Sequence, residues 1–102
     1  MMKISVLVKD PGKVPRHVYI ENSLSNLQKT VGGYIECVTL ATDMVIICNE
    51  EGRLMNLPHN CNVCGINFVG TIVICGVEGE EFADLPGDFK NWKNMFRSLW
   101  EV

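Results

Sequence analysis

Residues 31–54 of the chain read VGGYIECVTLATDMVIICNEEGRL, and this stretch decides the fold. Tyr34 to Leu40 and Met44 to Glu50 are two runs of strand length. Between them Ala41, Thr42 and Asp43 supply a short turn. The second run has no polar face, because Val45 and Ile47 alternate with Met44, Ile46 and Cys48. A strand of that kind belongs inside a sheet covered on both sides. The stretch therefore predicts a central hairpin, Tyr34 to Glu50, with other parts of the chain packed over each face.

Upstream of it, Lys3 to Lys9 alternates with Ile4, Val6 and Val8 on one face, the pattern of a half-buried strand. Asp10-Pro11-Gly12 is a turn, and Val14 to Glu21 resumes the alternation. Pro15 has no N–H to give to a ladder, so that strand starts at a sheet edge. Asn22-Ser23 offers a helix N-cap, and Leu24, Leu27, Gln28 and Val31 follow at helical spacing. Gly32-Gly33 stops the helix, since glycine accepts a left-handed cap.

Downstream, Glu51-Gly52 begins a turn and Arg53 to Phe68 shows no regular period. Thr71 to Val77 is a second strand apolar on both faces, and Glu78 to Gly87 is polar and turn-rich. In Asp88 to Trp100, the residues Phe89, Trp92, Phe96, Leu99 and Trp100 share one helical stripe. The expected fold is a single α+β domain over residues 1–102. It has a mixed, mainly antiparallel sheet of about five strands, one short helix and one C-terminal amphipathic helix.

A chain of 102 residues can bury roughly 65% of the surface its unfolded form exposes, enough for one core without staples. Apolar residues make up 47% and charged residues 21%, which is globular rather than disordered composition. No run is long enough to cross a bilayer, and MMKISVLVKD lacks the apolar core of a signal peptide. A cytoplasmic protein is expected. The net charge of −3 is spread without a basic patch, which disfavours generic nucleic-acid binding. Five cysteines in a chain with no export signal read as thiols, with Cys37, Cys48 and Cys75 as small core residues.

Pairing the central hairpin about its turn sets Tyr34 opposite Asn49 or Glu50. Its open end then gathers Gly32, Gly33, Tyr34, Glu36, Asn49, Glu50 and Arg53 as candidate ligand-binding residues. Glycine N–H groups can cradle an anion and Arg53 can clamp a phosphate or carboxylate. Polar loops also converge at the end of many sheets without any ligand. Glu36, Glu50 and Glu51 lack the aspartates of a typical Mg²⁺ site.

His59-x-Cys61-x-x-Cys64 is the sharpest metal-like pattern, although no fourth ligand lies nearby for tetrahedral zinc. Two loop cysteines without metal is the simpler reading, so no metal and no cofactor is expected. His17, Ser23, Ser25 and Ser98 show no nucleophile–base arrangement, and no glycine-rich nucleotide fingerprint is present. The sequence thus gives no sign of an enzyme.

Four segments, VGGYIE (31–36), ICNEEGRL (47–54), NLP (56–58) and VGTIVICG (69–76), resemble a family of small uncharacterised proteins from phages and mobile elements of Gram-positive bacteria. The GGYIE and NEEG motifs carry the likeness, which extends over nearly the whole chain. In that family the leucine-proline is usually followed by asparagine and a basic residue. Here Pro58 is followed by His59, Asn60 and Cys61. The resemblance implies an accessory gene acting in the cytoplasm of a bacterial host, where such proteins often counter host defences. The expectation is a non-enzymatic, homo-oligomeric binding protein that sequesters a small anionic, nucleotide-derived immune signal. In that picture Tyr34 stacks a base, Asn49 reads an edge, and Arg53 with the glycine N–H groups holds phosphate. The alternatives are an inhibitor or regulator of a host protein and, more weakly, a small zinc-binding domain. A charge of −3 is too small for a DNA mimic.

Overall fold

The computed structural model describes residues 2–87 and 96–101. In chain order the elements are β1 (Lys3–Lys9), β2 (Arg16–Glu21), α1 (Leu24–Val31), β3 (Ile35–Ala41) and β4 (Met44–Asn49). They continue with β5 (His59–Val63), β6 (Ile66–Val69), β7 (Ile72–Glu78), β8 (Glu81–Ala83) and a 3-10 turn, Arg97–Leu99.

Five strands run in the order β2-β1-β7-β4-β3, and β8 pairs with β7 to make a six-stranded sheet. β5 and β6 form a separate hairpin. The mainly antiparallel sheet is as expected, and among the described residues every pairing is antiparallel, with none of the parallel pairs a mixed sheet would contain. Parallel neighbours need a crossover connection, and here each strand returns beside an antiparallel one. The described strands also number eight rather than about five. Of the expected C-terminal helix, residues 88–95 lie outside those described; Arg97–Leu99 is a single 3-10 turn.

The helix follows its sequence signals closely. Ser23 caps it by accepting a hydrogen bond from the Asn26 N–H (3.2 Å), and Gly32 ends it at φ 82°. Leu27 and Val31, one turn apart, are both buried on the sheet. They join Ile4, Val6, Val8, Val45, Ile47, Val73 and Cys75 in one core.

The opposite face of the sheet carries a second core. Leu7, Met44, Ile46, Ile72 and Ile74 pack there against Cys61, Val63 and Phe68 of the small hairpin and Leu99 of the 3-10 turn. β4 and β7 are apolar on both sides because each contributes alternate residues to both cores. One polar fastening holds the small hairpin down. The buried Asn60 amide donates to the Lys9 carbonyl (2.8 Å) and the Gly70 carbonyl (2.7 Å). After β7 the chain folds back tightly: a Cβ on Gly76 would overlap the Asp84 carbonyl. The Leu85 N–H then donates to the Ser5 carbonyl, fastening this return to β1 (2.9 Å).

The five cysteines are all free. Cys48 and Cys75 are core residues as expected, but Cys37 is exposed. It lies on β3, which among the described residues is the last strand of the sheet and has a neighbour, β4, on one side only.

Candidate functional site

The β3–β4 register runs Ile35↔Asn49, Glu36↔Cys48, Cys37↔Ile47, and the Glu50 N–H donates to the Tyr34 carbonyl (2.8 Å). Tyr34 is thus opposite Glu50, one of the two partners the sequence allows. The seven candidate residues do meet at this end, but they divide between two clefts.

The first cleft, about 260 Å³, lies between the hairpin β3–β4 and the small hairpin β5–β6. Glu36, Asn49, Glu50 and Arg53 line it together with Val38, Leu54, Ile66 and Asn67. The second, about 310 Å³, lies at the end of α1 and holds Gly32, Gly33 and Tyr34 with Gln28, Glu51 and Met55. Asn49 borders both clefts. Its side chain is a partition, 5% exposed. The amide nitrogen donates to the Val31 carbonyl (3.2 Å) and approaches the Met55 sulfur (3.6 Å), while its oxygen accepts from the Glu51 N–H (2.8 Å).

The glycines are equally engaged. The N–H groups of Gly32 and Gly33 both donate to the Gln28 carbonyl, at 2.8 and 3.0 Å, closing the helix end. Gly33 also lets Asn49 come close, since a Cβ there would sit 2.9 Å from the amide nitrogen. These donors belong to the fold rather than to an anion cradle. Arg53 donates through one Nη to the Asn67 carbonyl (3.0 Å) and is otherwise exposed. Two carboxylates, Glu36 and Glu50, share its cleft, so the lining carries more negative than positive charge.

Large apolar side chains surround the same end. Leu54 is 86% exposed and Tyr34 67%, with Met55 and Ile66 also exposed. Ile66, Asn67, Phe68 and Val69 form the cleft wall that sequence reasoning missed, because β6 lay inside the stretch without a period.

His59, Cys61 and Cys64 are separated by the geometry of the small hairpin. Cys61 points into the core, whereas Cys64 sits exposed in the turn at φ 52°. Together with Gly65 at φ 82° it makes the two-residue turn that joins β5 to β6. The spacing that suggests a zinc clip is the spacing of a hairpin end. Among the described residues no three of His, Cys, Asp or Glu are grouped to hold a metal.

Burial favours the protonated form of the buried thiols. It pushes Cys75 up to about 12 and Cys48 up to about 11, with the Glu36 carboxylate adding to the effect at Cys48. Cys61 is raised by burial and drawn partly back by Lys9. No helix among the described residues is long and apolar enough to cross a membrane.

A model of a domain of unknown function, DUF3846, matches residues 2–97. The chain belongs to the DUF3846 family. No curated protein and no solved structure matches it. In this DUF3846 domain the matched span takes in the whole sheet, the helix and both clefts. The expected membership of an uncharacterised domain family is therefore met. The family description names no enzyme, ligand or partner.

Proposed function

We propose that this DUF3846 domain is a non-catalytic binding module that docks a protein partner at the open end of β3–β4. The observation that carries the reading is the first cleft: Glu36 and Glu50 stand beside exposed Leu54 and Ile66. Exposed apolar groups rimmed by charge are the usual make-up of an interaction surface. The charge balance selects a partner segment that presents basic and apolar side chains. If the gene is carried by a phage or mobile element, as the sequence resemblance implies, the partner is a host protein whose action the module blocks.

Sequestration of a nucleotide-derived signal is the second reading, and exposed Tyr34 beside the helix-end cleft is what favours it. A base could stack there, but the glycine N–H groups and the Asn49 amide are already bonded within the fold.

The two readings separate in one comparison. Affinity capture from host lysate is run with the unaltered domain and with the Glu36→Lys/Glu50→Lys variant, beside calorimetry against a nucleotide panel. A stoichiometric protein held by the first and lost by the second supports docking. Heat with a nucleotide, abolished by Tyr34→Ala and accompanied by no captured protein, moves the assignment to the second reading.

A further inference from the structure

The two edges of the sheet are finished differently. At the β2 edge the strand is entered from Pro15 and carries Arg16, His17 and Glu21, all devices that discourage pairing with another chain. β3 at the other edge is seven residues long, IECVTLA, with no proline and one charge. Among the described residues it pairs with β4 alone.

The polarity of that free edge follows from one bond. Tyr34 and Glu50 are directly opposite and hydrogen-bonded, so Glu36 and Val38 also bond inward to β4. Ile35, Cys37 and Thr39 then turn their N–H and C=O groups outward, and no backbone group among the described residues bonds to them. Such a row is a template for strand addition.

We infer that a second copy of the chain adds to this edge, β3 against β3 in antiparallel register, with the two-fold axis at Cys37. This register uses every outward group: Ile35 faces Thr39 of the second copy, Cys37 faces Cys37, and Thr39 faces Ile35. About six backbone hydrogen bonds result. Glu36 falls opposite Val38, and the exposed Tyr34 falls opposite Leu40. The register one step towards the N-terminus sets Glu36 against Glu36, a like-charge pair directly across the strands. One step the other way brings in Ala41, beyond the irregularity at Thr39/Ala41.

The consequence reaches the first cleft. Glu36 and Val38 both line it, so pairing them across the axis makes the clefts of the two copies neighbours on one continuous face. Val38 and Leu40 of the second copy extend the apolar floor of each.

The test uses the full chain in a Cys64→Ser background, which leaves Cys37 as the exposed cysteine. Light scattering should give twice the 11.4 kDa chain mass. A short bis-maleimide at mildly alkaline pH should link the copies through Cys37, and Cys37→Ser should abolish the link. Cys37→Lys places two cations opposite each other; the dimer should be lost while circular dichroism stays unchanged. Hydrogen exchange on the unaltered chain decides the matter without any variant: the amides of Ile35, Cys37 and Thr39 should slow as concentration rises. A monomer at every concentration overturns the inference. So does a dimer in which these amides exchange freely or which Cys37→Lys leaves intact.

Discussion

Replacing Asn49 with alanine removes its three polar contacts at once, from the Val31 carbonyl, the Glu51 N–H and the Met55 sulfur. A buried carbonyl at Val31 and a part-buried N–H at Glu51 lose their partner, so we expect a loss of about 2 kcal/mol in urea denaturation. Gly33→Ala should also destabilise, because its Cβ would press on the Asn49 amide at 2.9 Å. The double variant should cost less than the sum of the two, since removing the amide relieves the overlap. Strict additivity would show that the two positions act independently. In the linear sequence Asn49 looks like a ligand contact, being an amide at the end of an apolar strand beside acids and glycines. Its real partners lie 18 residues back on the helix and two residues ahead in the turn. Only the packing of α1 on the sheet brings them together.

A second residue-scale expectation concerns alkaline pH. Thiols of the unfolded chain ionise near the ordinary cysteine value of 9.0, whereas burial makes folded Cys48 and Cys75 hold their protons to about 11 and about 12. Above pH 9 the unfolded chain binds fewer protons than the native one, so stability is full below pH 9 and falls as pH rises from there towards 12. The urea midpoint should decline across that window, and Cys75→Val should flatten the decline. A midpoint equally steep in the variant would assign the loss to other groups.

Among the elements, the small hairpin is where the sequence is least legible. β5 reads HNCNV, and asparagine is poor strand material, so alternation gives no warning of it. The available signal is the turn: Cys64-Gly65 stands between Val63 and Ile66, and both turn residues take positive φ. Cysteine is a poor choice there, because a Cβ at left-handed φ is crowded by the backbone. Asparagine tolerates that conformation better. Cys64→Asn should therefore raise stability by about 0.5–1 kcal/mol, read as a higher melting temperature. The main sheet is legible for the opposite reason. Lys3–Lys9, the helix caps at Ser23 and Gly32, and the both-sided burial of Met44 to Cys48 are local consequences of local residues. Strand order is not local, and no residue on β1 states that it will lie beside β7. The partition of the candidate site into two clefts was hidden likewise, because it depends on which face each residue takes.

For the molecule as a whole, the two cores share β4 and β7, so they should melt together. Leu27→Ala on the helix side should cost about 2–5 kcal/mol. The loss should appear equally in a probe of the other side, the fluorescence of Trp100 in a Trp92→Phe background, since Trp100 packs against the hairpin-side core. Circular dichroism and tryptophan fluorescence should trace one transition. Separate transitions would mean that the cores are independent.

The placement of β7 has a further consequence for how the chain is made. β7 joins β1 to β4, yet it spans Ile72–Glu78, late in the chain. On the ribosome, the hairpins β1–β2 and β3–β4 therefore emerge first with no bridge between them. Each keeps an open apolar flank until the bridging strand arrives. Such non-local closure slows folding and lengthens the time in which the flanks can meet the wrong partner. Newly made chains should accordingly be the form most prone to aggregate and most dependent on chaperones. Stopping translation just before residue 72 would leave two half-sheets with no means of joining.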